Sequence, residues 1–181
     1  MKIVLIGIQG SGKSTQGKLL QEKLGVPYLA TGHIFREIAK EETPLGREIK
    51  EIMTAGYLIP DEKTLAIVSE YLSRPEYREG YILDGFPRTV KQAEAFGSGV
   101  DTVVYLEVSD KEALARISQR NDVGREDETD AAIKKRIESF HSFTKPVIAY
   151  YREKGKLAEI DGEQSIDEIH QSILKAIGYE R

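Results

Sequence analysis

The chain contains no cysteine, and that absence removes whole classes of chemistry. Disulfides, thiol nucleophiles and cysteine-ligated zinc are all excluded. An excess of positive charge is missing too. Lys and Arg number 26 against 30 Asp and Glu, a formal net charge of −4, so no basic footprint for nucleic acid is present. The tyrosines are scattered and form no stacking platform for bases. No hydrophobic run approaches the length of a membrane span. The first apolar run, Ile3-Val4-Leu5-Ile6, is too short for a signal peptide, so a cytoplasmic protein is expected. Internal repeats, low-complexity tracts and Pro/Gly/Ser linkers are also lacking. What remains is 181 residues of ordinary globular composition, 40 % hydrophobic and 31 % charged. That is enough for one domain with a full core.

Against this plain background one run stands out. Residues 7–14 read Gly-Ile-Gln-Gly-Ser-Gly-Lys-Ser and satisfy G-x-x-x-x-G-K-[ST] at every fixed position. An apolar strand pattern precedes the run, and a helical pattern carrying Leu19, Leu20 and Leu24 follows it. Glycines let successive backbone N–H groups face phosphate oxygens, and the helix N-terminus adds partial positive charge. Lys13 adds a full charge, and the hydroxyl of Ser14 or Thr15 can face Mg²⁺. A nucleoside triphosphate site is therefore expected at Gly10, Ser11, Gly12, Lys13, Ser14 and Thr15.

Strand-like runs recur along the chain. They are Ile3–Ile6, Pro27–Leu29, Tyr81–Leu83, Thr102–Leu106 and Lys156–Ile160. Helical patterns fill the gaps. Capping signatures open three of them, at Thr89-x-x-Gln92, Ser109-x-x-Glu112 and Ser165-x-x-Glu168. A long helical stretch starts near Thr129, and Pro146 should kink or interrupt it. Alternating strands and helices predict an α/β fold with a parallel sheet. The Gly7 loop, Asp84 and Asp161-Gly162 all follow strand ends, where ligands bind in such sheets. Two stretches leave the alternation. Residues 30–60 hold two helix candidates and no strong strand, and residues 121–128 are polar and charged.

A second constellation, Asp84-Gly85-Phe86-Pro87-Arg88-Thr89, follows the third strand run. Asp84 is placed to hold Mg²⁺ directly or through water. Arg88 begins the next helix, where a phosphate could also meet helix N–H groups.

These residues resemble the nucleoside monophosphate kinases, and most closely the adenylate kinases, essentially end to end. Gly10-Ser11-Gly12-Lys13 is similar to the family's phosphate loop. Thr31-Gly32 with Arg36 resembles its T-G-D-x-x-R element, and Ala55 to Asp61 its G-x-L-V-P-D segment. Asp84 to Thr89 matches D-G-F-P-R-T, with Gln92 three residues on. Arg116 and Arg120 resemble the pair before the lid. Gly124-Arg125-Glu126-Asp127 and Lys134-Lys135-Arg136 resemble the elements after it, and Asp161-Gly162 the closing D-G.

The resemblance implies a three-layer P-loop domain over residues 1–181, with a central parallel sheet of about five strands. It implies a helical monophosphate-binding flap at 30–59 and a short lid at 121–128, of the type without zinc. It implies reversible Mg²⁺-dependent phosphoryl transfer from ATP to AMP, giving two ADP. Gly10 to Thr15, Arg116, Arg120, Gly162 and Gln164 would serve ATP. Thr31, Arg36, Tyr57, Leu58, Ile59, Gly85, Arg88 and Gln92 would serve AMP. Arg125 and Arg136 would clamp the moving group, with Lys13, Arg88 and Arg120 beside them. Ser14, Thr15 and Asp84 would meet Mg²⁺, partly through water, and the Phe86–Pro87 bond would be cis. A monomer without nucleic-acid or membrane partners is expected.

Physical reasoning agrees with these roles. The attacking phosphate oxygen is already largely ionised near neutral pH, so no general base is required. Alignment of two polyanions and cover for charge are required, and arginine's planar fork suits both. Arg116 and Arg120, four apart, share a helix face. Flap closure would exclude water, which otherwise competes as acceptor.

Several positions depart from the family pattern. Gln9 stands at the usual proline, Ser14 at a common glycine, and Glu128 at the second acid of the lid's D-D pair. His33 replaces the acid of T-G-D, which predicts weaker AMP affinity below about pH 6.5, histidine's ordinary pKa. Lys134, Lys135, His141 and His170 read as surface or structural residues. Two other functions merit comparison. A UMP/CMP-type kinase would share the scaffold, but Gln92 and Thr31 fit adenine better. A P-loop switch protein would need N-K-x-D and D-x-x-G, and neither string occurs.

Overall fold

The computed structural model describes residues 1–97, 99–119 and 128–179. Five strands form one sheet: β1 (Lys2–Ile6), β2 (Tyr28–Ala30), β3 (Tyr81–Asp84), β4 (Thr102–Glu107) and β5 (Leu157–Asp161). All four pairings are parallel, in the order β2-β3-β1-β4-β5. The short apolar runs of the sequence become these strands to within a residue or two. The three central strands, β1, β3 and β4, are buried on both faces, as covered parallel strands must be, while the edge strands β2 and β5 are only partly covered.

The pleat of β1 divides the core. Val4 and Ile6 join Leu83, Val103, Tyr105, Phe140, Val147 and Tyr151 on one face. Ile3 and Leu5 join Ile82, Val104, Leu106, Ile169 and Ile173 on the other. The second face is covered by α1 (Lys13–Leu24) and α9 (Ile166–Ala176). Ser165 caps α9 with a complete capping box, in which its Oγ accepts from Glu168 N and Glu168 reaches back to Ser165 N. The other two capping signatures are only half realised. Ser109 Oγ accepts from Glu112 N, but the Ser109 N–H donates to Glu163 and Glu112 pairs with Arg116. Thr89 Oγ1 accepts from Gln92 N, while the Gln92 side chain is engaged elsewhere.

Residues 31–54 form two helices, α2 (Thr31–Ala39) and α3 (Pro44–Thr54). Thr43 caps α3, and Pro44 stands at the first helical position, where its missing N–H costs nothing. The two helices share a separate small core of Phe35, Ile49 and Ile59. After α4 (Asp61–Leu72), a 3₁₀ turn at Pro75–Tyr77 leads into β3. α5 (Val90–Phe96) and α6 (Asp110–Ser118) follow β3 and β4.

The long helical stretch is α7 (Asp130–Ser139), a π turn over Phe140–Thr144, and α8 (Lys145–Glu153). Pro146 offers no N–H, and its ring would crowd the carbonyl of Ser142 four residues back. The widened turn sits where that bond is forgone. The interruption expected at Pro146 therefore falls just before it.

Candidate functional site

β1 is the central strand, and the chain crosses it between β3 and β4. This makes the crevice at its carboxyl end the topological switch point of the sheet. The phosphate loop leaves β1 there. Gly10 adopts φ 87°, and a Cβ would stand 2.7 Å from the Ala113 carbonyl oxygen, so only glycine fits. Lys13 folds back over the loop. Its Nζ donates to the carbonyls of Gly7 (2.8 Å) and Ile8 (3.0 Å) and lies 3.4 Å from Ser11 Oγ. Gly10, Gly12, Lys13 and Ser14 line the cleft. Ser11 is fully buried beneath the loop, and Thr15 is exposed on the first turn of α1. Of the two hydroxyls, Ser14 is the one presented to the cleft.

The segment after β3 forms the opposite wall. Asp84 ends the strand, 9 % exposed, and Tyr28 Oη donates to its Oδ2 at 2.7 Å. Tyr28 sits on neighbouring β2, so this hydrogen bond fixes the carboxylate from across the sheet. Gly85 takes φ 85°, and a Cβ there would meet Thr31 Oγ1 at 2.5 Å. The Phe86–Pro87 bond is cis, as the resemblance implied. Arg88 Nε donates to the Gly85 carbonyl at 2.7 Å. Burial lowers the pKa of the Arg88 guanidinium from its ordinary value, and the Asp84 carboxylate opposes that shift. Arg136 and Arg36 add repulsion in the same direction as burial. Three guanidiniums thus feel one another across one cleft, an arrangement that a bound polyanion would relieve.

α2 and the segment after α3 complete the wall. Arg36, Tyr57, Leu58 and Ile59 face the same cleft as Lys13, Arg88 and Gln92. Thr31 does not. It is 1 % exposed, and its hydroxyl donates to the Asp84 carbonyl at 3.1 Å, so it braces the wall while Ala30 and Gly32 line it. His33 is exposed on the first turn of α2. Arg136 reaches from α7 to the Met53 carbonyl at 3.1 Å. Lys135, read from the sequence as plain surface, lies 4.9 Å from the Tyr57 ring centroid. Gly56 packs so tightly on Ala132 that a Cβ would approach its carbonyl oxygen to 2.6 Å. The segment after α3 thus rests on α7.

On the other side of the loop, Arg116 Nη2 donates to the Gly162 carbonyl at 2.9 Å, and its Nε pairs with Glu112 at 2.7 Å. Gly162 is buried and Gln164 exposed at the carboxyl end of β5. These three gather together but do not line the cleft that holds Lys13 and Arg88. Arg120, Arg125 and lid residues 121–127 lie outside the described residues.

Mg²⁺ favours one or two carboxylates and fills its octahedron with water and substrate phosphates. Asp84 and Ser14 fit that demand, since both line the cleft beside Lys13. Among the described residues no group of three or more His, Cys, Asp or Glu could hold a metal by itself.

Four contributors escaped the sequence reading. Tyr28 orders Asp84, Asp61 holds Gln92, and Thr144 Oγ1 donates to the Arg88 carbonyl at 2.9 Å from the π turn. The fourth joins two departures from the family pattern. Gln9 Nε2 donates to Glu128 Oε1 at 3.1 Å, tying the phosphate loop to the segment leading into α7. Both departures are visible in the sequence, but a separation of 119 positions hides their pairing.

The comparisons agree with this geometry. The family described as adenylate kinase matches residues 5–156. The adenylate kinase of Caldicellulosiruptor bescii is 37% identical over 215 aligned positions, covering 99% of this chain and all of the relative. That of Moorella thermoacetica is 36% identical over 213 positions, covering 98% of each chain. That of Clostridium perfringens strain 13 is 35% identical over 216 positions, covering all of this chain and 99% of the relative. These alignments are longer than the 181 residues of this chain, so the relatives carry segments it lacks. With its five-stranded parallel sheet, its phosphate loop and its arginine-lined cleft, the chain belongs to the adenylate kinase family, the phosphotransferases that act on nucleoside monophosphates.

Proposed function

We propose that the chain catalyses reversible phosphoryl transfer between ATP and AMP with Mg²⁺, forming two ADP. The observation that carries this is the placement of Lys13 and Arg88 on one cleft, with Arg36 and Arg136 beside them. Two phosphate chains entering from opposite sides would meet head to head between these cations. Gly10 to Ser14 would hold the donor phosphates. Arg36 and Arg88 would hold the phosphate of AMP, and Arg136 the group in transit. Arg120 and Arg125 are assigned to the same charge cover on the resemblance alone. Asp84 and Ser14 would hold Mg²⁺, whose charge would offset that of the donor phosphates.

The protein's own share is alignment and electrostatic cover. It needs no general base, because the acceptor oxygen arrives ionised. Residues 30–59 act as the flap over AMP, held together by the small core of Phe35, Ile49 and Ile59. Residues 121–128 act as a short lid, as the resemblance implies. The chain is taken to work as a monomer in the cytoplasm. No helix among the described residues is long and apolar enough to cross a membrane.

A coupled assay of ADP formation from ATP with AMP, CMP, UMP or GMP tests this reading. Turnover confined to AMP is expected. A strong CMP or UMP signal would overturn the choice of acceptor.

A further inference from the structure

A carboxamide is an ambiguous reader of a base. It offers an acceptor oxygen and a donor NH₂, and a half-turn of the terminal torsion exchanges them. Adenine presents an N6–H donor next to the N1 acceptor. Hypoxanthine and guanine present an O6 acceptor next to an N1–H donor. An amide free to turn satisfies either pattern and distinguishes neither.

Gln92 is not free to turn. It is 2 % exposed, so water has little access to replace a lost partner. Its Nε2 lies 2.9 Å from Asp61 Oδ1, and its Oε1 lies 2.7 Å from Arg88 N. A carboxylate only accepts and a backbone N–H only donates, so both neighbours dictate the same orientation independently. Turning the amide would set oxygen against carboxylate and N–H against N–H at once. Asp61 is itself anchored, because the same Oδ1 accepts from Thr89 Oγ1 at 2.8 Å. One N–H and one lone pair of Gln92 remain, and these are what a base can use.

We propose that Asp61 is a specificity-determining positioning residue, which locks the Gln92 carboxamide so that the monophosphate site accepts a 6-aminopurine and rejects a 6-oxopurine. This rests on Gln92 reading the base, as assigned above. A 6-oxopurine in the same pose would face a mispaired, water-poor edge, or would have to break two hydrogen bonds to turn the amide. Sites of this kind discriminate because their buried polar groups are left unpaired by the wrong ligand.

The probe pair is AMP and inosine monophosphate, which differ in this donor–acceptor exchange and in little else. Calorimetric dissociation constants and KM values are measured on the full chain for wild type, Asp61→Asn and Gln92→Ala. Asn offers an acceptor or a donor at the same place, so one of the two restraints is lifted and only Arg88 N still opposes the half-turn. Asp61→Asn is expected to shrink the AMP preference by on the order of tenfold, in affinity and KM more than in kcat. A role confined to holding α4 against α5 would weaken both ligands by a common factor, and that result overturns the proposal. Loss of preference in Gln92→Ala but not in Asp61→Asn leaves base reading intact and removes the lock. An unchanged preference in Gln92→Ala removes the base-reading assignment itself. Should Asp61→Asn fail to fold, wild type still decides: the Gln92 side-chain amide must give a resolved ¹⁵N–¹H pair that exchanges slowly, and exchange at the free-glutamine rate overturns the lock.

Discussion

Lys13 and Arg88 carry similar charge but are held in different ways, and substitutions should separate them. Lys13 is a flexible point charge over the loop, replaceable in volume by methionine. Lys13→Met should abolish ADP formation and leave the thermal midpoint within a few degrees, as scanning calorimetry would show. Arg88 is forked, and Nε is already spent on the Gly85 carbonyl. Arg88→Lys keeps the charge and loses the bidentate grip, so kcat/KM for AMP should fall by roughly 10²-fold or more. Thr144 supports Arg88 from behind. Removing its hydroxyl in Thr144→Val leaves the Arg88 carbonyl short of a donor, at about 1–3 kcal/mol in urea unfolding, together with a raised KM for AMP. The cations were legible because their motifs are contiguous. Asp61, Tyr28 and Thr144 were not, because each acts on a residue 31, 56 or 56 positions away in the chain. An aspartate after a proline, or a threonine before a lysine, shows no such partner in the sequence alone.

At the scale of elements, sequence signals were strongest where the chain answers only to itself. The five strands follow from short apolar runs, and α9 from Ser165 and Glu168. Ser165→Ala should cost about 1 kcal/mol in urea unfolding, the usual worth of an N-cap. Glu168 is held below its ordinary carboxylate pKa by the Ser165 hydroxyl and N–H, so the box should fade as acid protonates it. Thr89-x-x-Gln92 shows the limit. The pattern has the form of a capping box, but Gln92 is expected to serve AMP, and its side chain turns to Arg88 N and Asp61. Tertiary partners outbid the local one. Pro146 shows another limit, since it announces an interruption but not that the widened turn before it will aim Thr144 at the site.

For the whole molecule, α9 sets a pH limit. His170 lies on that helix, with Nδ1 buried and unpartnered. Burial lowers its pKa, Lys23 lowers it further, and Asp167 raises it. The unfolded chain therefore takes up the proton first as pH falls through histidine's ordinary value of about 6.5. Stability should decline from pH 7 toward pH 5.5, and His170→Gln should lessen that decline in paired melting curves. Exposed His33 lies far from this effect. Identical pH profiles of the AMP Michaelis constant in wild type and His33→Asp would show that its charge does not reach the site.

One local arrangement carries further. The Lys13 ammonium is engaged by two carbonyls of its own loop. Donor binding is then an exchange of partners, in which phosphate must outcompete an incumbent. A neutral or singly charged competitor has little with which to displace it. The loop thereby holds its own shape and screens out weak anions.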